Sequence, residues 1–193
     1  MRLMYIIIFL SVLFSISAFA AENEWRIFTT ETSDIPDNSC YVITQDSKGN
    51  IWTGGTTLKR FDWKSWTLYD KDAIGFKLDV LDMQFDKDDN LWIGNLGMGI
   101  YKYDGEKCVV YTRSNSVLQQ NDVVALHCDN PGNIWWGSWN GGGKITGNGT
   151  WVPYDTAYPK PEPLIHIEDI CSDNDDNVWY ATREGLIKTK NMF

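Results

Sequence analysis

The chain has 193 residues, 43% of them apolar, which suits one domain with a buried core. Its formal charge is −9, and an acidic surface argues against nucleic acid and anionic membranes as partners. Ten Trp, nine Tyr and eight Phe favour strands and supply much buried area per residue.

The first twenty residues read as a signal peptide. Arg2 carries the positive charge, residues 3–14 are almost wholly apolar, and Ala18-Phe19-Ala20 fits the small-x-small cleavage rule. The mature chain is expected to start at Ala21 and to be periplasmic or secreted, with no membrane association after cleavage. The apolar run is short for a span of about 20 residues, and no lipobox cysteine follows it. Export permits disulfides, yet Cys40, Cys108, Cys128 and Cys171 show no CxxC spacing. They read as free, small apolar residues; if paired, they allow three connectivities. With two histidines in the chain, a zinc site is not expected, and no metal or cofactor is expected.

The next elements repeat. Asp46-Ser-Lys-Gly-Asn50-Ile-Trp52, Asp86-Lys-Asp-Asp-Asn90-Leu-Trp92, Asp129-Asn-Pro-Gly-Asn133-Ile-Trp135 and Asp173-Asn-Asp-Asp-Asn177-Val-Trp179 align without gaps, with the tryptophans 40, 43 and 44 residues apart. A fixed period of this length is the signature of a repeat architecture. A β-rich run precedes each signature (41–45, 80–85, 123–128 and 167–172). The Asp-x-x-(Gly/Asp)-Asn stretch predicts a tight turn. A second strand starts at the Trp, a third covers 58–61, 99–103, 143–146 and 185–188, and a fourth covers 65–69, 108–112 and 150–154. Four short strands per unit make a propeller blade. The fold expected is all-β: a β-propeller over residues 21–193, with four blades of four antiparallel strands (repeats about 40–69, 80–112, 123–154 and 167–190).

The fourth strands read Trp66-Thr-Leu-Tyr69 and Trp151-Val-Pro-Tyr154, with Val109-Val-Tyr111 a weaker relative, and the last repeat has none. Trp25-Arg-Ile-Phe28 has the same form ahead of the first signature. This offset predicts a ring closed by the N-terminal strand, Trp25–Thr29 pairing with Gly185–Lys188, which would remove exposed edges. An eight-bladed ring of two chains is the alternative.

These repeats resemble the two-component regulator propeller family, where Asp-x-x-Gly-Asn-Leu-Trp-Ile-Gly-Thr is followed by Gly-Leu and an aromatic-Asp pair. Asp86–Gly94 and Gly99-Ile-Tyr-Lys-Tyr-Asp104 match closely; Asp89 and Asp176 replace Gly, and Ala181 replaces the later Gly. The resemblance covers about residues 25–190 and implies an extracytoplasmic sensing module. In long members such propellers precede a membrane segment and a histidine kinase, neither of which follows the four repeats here. The expected roles are a stand-alone binding protein, a partner of another receptor, or a remnant of a larger sensor.

Asp86-x-Asp88-x-Asn90 and Asp173-x-Asp175-x-Asn177 look like pieces of calcium loops, but lack the glycine bend and distal carboxylate, and read as hairpin turns. The signature residues are expected to be scaffold, and binding is expected in the loops where repeats differ. Trp139, among glycines in 136–143, is a candidate for stacking on a sugar. Arg183 stands at the equivalent place in the last repeat and suits a carboxylate or sulfate. Asn95 lies in the second repeat's loop and Tyr158 in the proline-containing loop 155–164, while His127 and His166 each fall in or beside an innermost strand, near the channel. No catalytic constellation is readable: Glu168 and Asp169, being adjacent, point to opposite strand faces. The leading expectation is therefore a ligand-binding or sensing module whose partner is a carbohydrate or a protein such as a membrane sensor; a protein–protein scaffold is second, and a propeller lyase or hydrolase third.

Overall fold

The computed structural model describes residues 25–70, 78–153 and 166–189. Residues 1–20, expected to be a signal peptide, Tyr154 and the loop 155–164 with Tyr158 lie outside the described residues. Blade 1 contains β1 (Val42–Gln45), β2 (Ile51–Gly54), β3 (Leu58–Phe61) and β4 (Trp66–Tyr69). Blade 2 contains β5 (Val80–Phe85), β6 (Leu91–Asn95), β7 (Gly99–Tyr103) and β8 (Cys108–Tyr111). Blade 3 contains β9 (Val123–Cys128), β10 (Ile134–Ser138), β11 (Gly141–Ile145) and β12 (Trp151–Pro153), and blade 4 contains β13 (Ile167–Ser172), β14 (Val178–Thr182) and β15 (Gly185–Thr189). Each blade is an antiparallel meander in chain order, four-stranded in blades 1–3 and three-stranded in blade 4.

The signature turn is built the same way four times. In blade 1, Asp46 Oδ1 accepts the backbone N–H of Lys48 and of Asn50, at 3.0 and 2.8 Å. Its Oδ2 accepts Asn50 Nδ2 at 2.8 Å and the Trp52 indole N–H at 2.9 Å. Asp86, Asp129 and Asp173 hold Trp92, Trp135 and Trp179 likewise. A cation lies over each indole: Arg60, Lys102, Lys144 and Lys188, 4.9–5.8 Å from the ring centroids. Asp86 and Asp173, the leading acids of the calcium-like runs, thus direct their oxygens at the turn and the indole. The fourth signature position is left-handed, with φ 82° at Gly49 and 93° at Gly132. Asp89 and Asp176 adopt the same conformation at 63° and 59°, which short polar side chains tolerate best after glycine.

The core lies between blades. Trp52 and Leu58 of blade 1 pack with Val80 and Met83 of blade 2; Trp92 and Ile100 pack with Val123 and Leu126 of blade 3; Ala125 and Trp135 pack with Ile167 and Ile170 of blade 4. Close approach requires the glycine two residues after the signature Trp in blades 1–3. A Cβ on Gly54 would lie 2.6 Å from Val80, and one on Gly137 2.4 Å from Ile167.

Two expectations are corrected. The N-terminal segment 25–29 does not close the ring: it forms no strand, and no fourth strand joins β15 among the described residues. Blade-to-blade packing instead runs β1–β5, β5–β9 and β9–β13, and Phe28 rests on blade 1, 5.2 Å from Phe61 and 5.9 Å from Trp66. The four blades form an open arc. Second, the partner of Trp66 in blade 2 is Cys108, not Val109: Phe61 pairs with Trp66, and Tyr103 with Cys108. The second fourth-strand motif is therefore Cys108-x-x-Tyr111. All four cysteines are free.

Candidate functional site

Register places one exposed turn residue in the same position in each blade, between the second and third strands: Thr56, Leu96, Trp139 and Arg183. The residue before each is part of the scaffold. Ser138 Oγ donates to Gly141 O at 2.7 Å, and Thr182 Oγ1 donates to Gly185 O at 2.8 Å, so both turns are clamped from within. Asn95 occupies that clamp position in blade 2. It is fully buried, with its Oδ1 3.4 Å from Asp79 N. Ending β6 with its side chain turned inward, it offers no atom to a ligand.

Trp139 and Arg183, 44 residues apart in sequence, meet in one cluster. Trp139 is 41% exposed and stacks on His166, with ring centroids 5.7 Å apart and planes at 29°. Glu168 bridges the two sides. Its Oε1 accepts Arg183 Nε at 2.9 Å and lies 3.4 Å from His166 Nε2. His166 Nε2 is shielded from solvent and makes no well-aligned hydrogen bond, while Arg183 N donates to His166 O at 3.3 Å. The β13–β14 bulge between Ile167 and Asp169 sets Glu168 out of the regular alternation, which is how it reaches Arg183. The result is a partly exposed indole and an exposed guanidinium linked through His166 and Glu168, the guanidinium already paired to one carboxylate. Such a pair can cover the apolar face of a ring and hold an anionic substituent.

His127 lies elsewhere. It pairs with Trp135 while Val123 pairs with Ser138, so it sits at the far end of β9, roughly 13 Å along the strand. Its Nε2 is 2.9 Å from Ser172 Oγ across the blade junction, and burial lowers its pKa from the ordinary histidine value.

Asp82, on the innermost strand of blade 2, is a group that loop-based reasoning misses. Its Oδ2 accepts Leu126 N of blade 3 at 2.6 Å. Burial pushes its pKa up to about 6 against the pull of that bond and of Met83 N, and the Asp169 charge adds to the rise. The equivalent positions are Val42, Ala125 and Asp169. The available signal was an acid within the apolar run Val80–Phe85.

A cleft of about 260 Å³ opens between blades 2 and 3 on the signature-turn side, lined by Lys87, Lys102, Tyr111 and Trp151 among others. Among the described residues no group of His, Cys, Asp or Glu is placed to hold a metal ion, and no helix is long and apolar enough to cross a membrane.

No family model and no curated protein matches the sequence. Solved structures do. The extracellular domain of the hybrid two-component system BT3049 from B. thetaiotaomicron superposes with a TM-score of 0.69 at 19% identity, over 84% of this chain and 23% of that one. A catalytically inactive histidine-to-alanine variant of virginiamycin B lyase from Staphylococcus aureus, solved with quinupristin, gives 0.61 at 17% identity, over 79% of this chain and 55% of that one. YCF48 bound to a D1 peptide gives 0.61 at 16%, over 86% and 53%. This chain thus spans about a quarter of the sensor domain and about half of the other two. At such identities the likeness shows the fold, an all-β propeller arrangement. Its occurrence in an extracellular sensor domain agrees with the resemblance of the repeat to the two-component regulator propeller.

Proposed function

We propose that the chain is an extracytoplasmic ligand-binding module of the sensor-propeller kind, and that its ligand is a saccharide bearing a carboxylate or sulfate. The observation that carries this reading is the cluster Trp139–His166–Glu168–Arg183, where two neighbouring blades place a Trp and an Arg at the same turn position. The indole would cover a sugar face, and the guanidinium would exchange Glu168 for the ligand's anion. The fold of a sensor ectodomain supports the location and the sensing role, and fold alone does not assign the ligand.

A protein-binding scaffold is the second reading, favoured by the exposed Leu96 and Met98 on the same turn-bearing side. The test is a panel of neutral, uronate-containing and sulfated oligosaccharides titrated against intrinsic fluorescence. Binding confined to the anionic glycans, and lost in Trp139→Ala and Arg183→Ala, is expected. If no glycan binds, or both variants bind as well as the parent, the saccharide reading is wrong.

A further inference from the structure

Two ends of the arc expose residues whose counterparts are buried in the other blades. Ile43 corresponds in register to Met83, Leu126 and Ile170, since each faces the residue after the signature Trp. Those three are buried against the blade before them, whereas Ile43 is 71% exposed. Leu186 corresponds to Leu58 and Ile100. These are fully buried against the blade after them, whereas Leu186 is 74% exposed. Blade 1 therefore presents a face made for a preceding blade, and blade 4 a face made for a following one.

The N-terminal segment belongs to the same pattern. Tyr69 of β4 rests on Tyr103 of the next blade at 5.9 Å, and Tyr111 of β8 rests on Trp151 at 4.9 Å. Phe28 makes the equivalent contacts with Phe61 and Trp66 of blade 1. It sits where the fourth-strand aromatic of a preceding blade would sit. Trp25 beside it is 96% exposed. Blade 4 has three described strands and no described fourth.

The sizes at the two ends also match each other. Inside the arc, the glycine after the signature Trp meets Val80, Val123 or Ile167 of the next blade, with no room for a Cβ. At the end of blade 4 that glycine is Ala181, and at the start of blade 1 the position of Val80, Val123 and Ile167, three residues before Ile43, is Cys40. One side gains a methyl group where the other has a smaller side chain, and summed volume is what a close-packed junction conserves.

We infer that two copies of this chain close end to end into one eight-bladed ring, blade 4 of each copy packing on blade 1 of its partner. The twofold axis runs along the central channel, so both junctions form together and no end is left open. Segment 25–28 of each copy adds to the β15 edge of the other. The register follows from β3–β4: Trp25 opposite Thr189, Arg26 opposite Lys188, Ile27 opposite Ile187 and Phe28 opposite Leu186. The strand addition supplies backbone hydrogen bonds to an otherwise open edge, and the junction removes Ile43 and Leu186 from water.

The test is light scattering and sedimentation of the purified chain over a wide dilution range. Two-chain mass is expected for the parent. Ile43→Asp and Leu186→Asp, each exposed in a single copy, are expected to leave the circular dichroism unchanged and to weaken association by about 100-fold or more, because each buries an unpaired charge at the junction. Ile27→Cys combined with Ile187→Cys, oxidised, is expected to give a covalent two-chain species that neither single variant gives. A parent that stays at one-chain mass at all concentrations overturns the inference; so does a two-chain species that both aspartate variants leave intact, or a double-cysteine variant that cross-links only within one chain. Glycan binding is measured separately, so loss of the dimer and loss of the ligand site are distinguishable.

Discussion

Asp89 reaches back from the signature turn of blade 2 to Ser47 in the signature turn of blade 1. Its two carboxylate oxygens accept the Ser47 backbone N–H at 2.9 Å and the Ser47 hydroxyl at 2.7 Å. Asp176 of blade 4 does the same to blade 3 through Asn130 Nδ2 at 2.7 Å. The two acids that depart from glycine thus couple neighbouring turns, while holding a left-handed backbone that costs a non-glycine residue roughly 1 kcal/mol. Asp89→Gly should therefore be nearly neutral, because relief of the backbone offsets two exposed hydrogen bonds. Asp89→Ala, which keeps the strain and loses the bonds, should cost about 1–2 kcal/mol. Urea denaturation of the two variants side by side checks the order.

Asp129 is the most enclosed of the four signature acids, buried with its indole partner. Asp129→Ala removes the acceptor for Trp135 Nε1 and for both N–H groups of Asn133. It should destabilise the protein by about 3 kcal/mol or more, since buried donors are left without partners. The same change at Asp173, in the last and more open blade, should cost clearly less.

The raised pKa of Asp82 fixes a sign for pH dependence. A carboxyl that titrates near 6 when folded and near 3.9 when unfolded binds more protons in the native state between those values. Its contribution is most favourable below about pH 4 and declines as pH rises toward 6. Asp82→Asn, which keeps an oxygen for Leu126 N, should flatten that decline and raise stability at pH 7, by up to about 2–3 kcal/mol. Asp46, Asp86 and Asp173, held below the ordinary carboxylate range, act with the opposite sign in parent and variant alike, so the test is the difference in melting temperature between parent and variant from pH 4 to 8; a difference that does not grow as pH rises through 6 contradicts it.

Glu168 competes with any anion for Arg183. Glu168→Gln should strengthen binding of a uronate or sulfated ligand by a few-fold, while Arg183→Ala weakens it, and both should leave stability within about 0.5 kcal/mol, because exposed pairs contribute little. Calorimetric titration gives both numbers.

Gly137→Ala places a Cβ against Ile167 and should cost about 1–3 kcal/mol through overpacking. Ala181→Gly, the reverse change at the free end of blade 4, should change the stability of a single copy little.

The strands were legible because each signature turn marks where one strand ends and the next begins, and the repeat supplied four independent readings. What the period could not give was curvature. It identified Trp25-x-x-Phe28 as fourth-strand material, yet the segment forms no strand and Phe28 rests on Phe61 and Trp66 of blade 1. Which blade it serves depends on the angle between sheets, set by contacts such as Met83 on Gly54 that no spacing encodes. The cations over the tryptophans were missed because an Arg or Lys on a strand looks like ordinary surface until the register puts it over the ring. Trp139 and Arg183 stood out as departures from the repeat. Their link through His166 and Glu168 is tertiary, made by a bulge that breaks the two-residue alternation. Asn95 is buried because the end of β6 and the start of the turn differ by one residue, and that residue decides whether a side chain faces in or out.

The one-dimensional order of the blades has a consequence for how the chain comes apart. Each blade is stabilised by its two neighbours, so a single copy behaves as a short linear array in which the terminal units have one supporting contact each. Amides of β14 and β15 should exchange with solvent through local fraying, while β6 and β10, flanked on both sides, should exchange only through global opening. In a paired ring that distinction would vanish, and slow exchange at β15 would report assembly from the last blade alone.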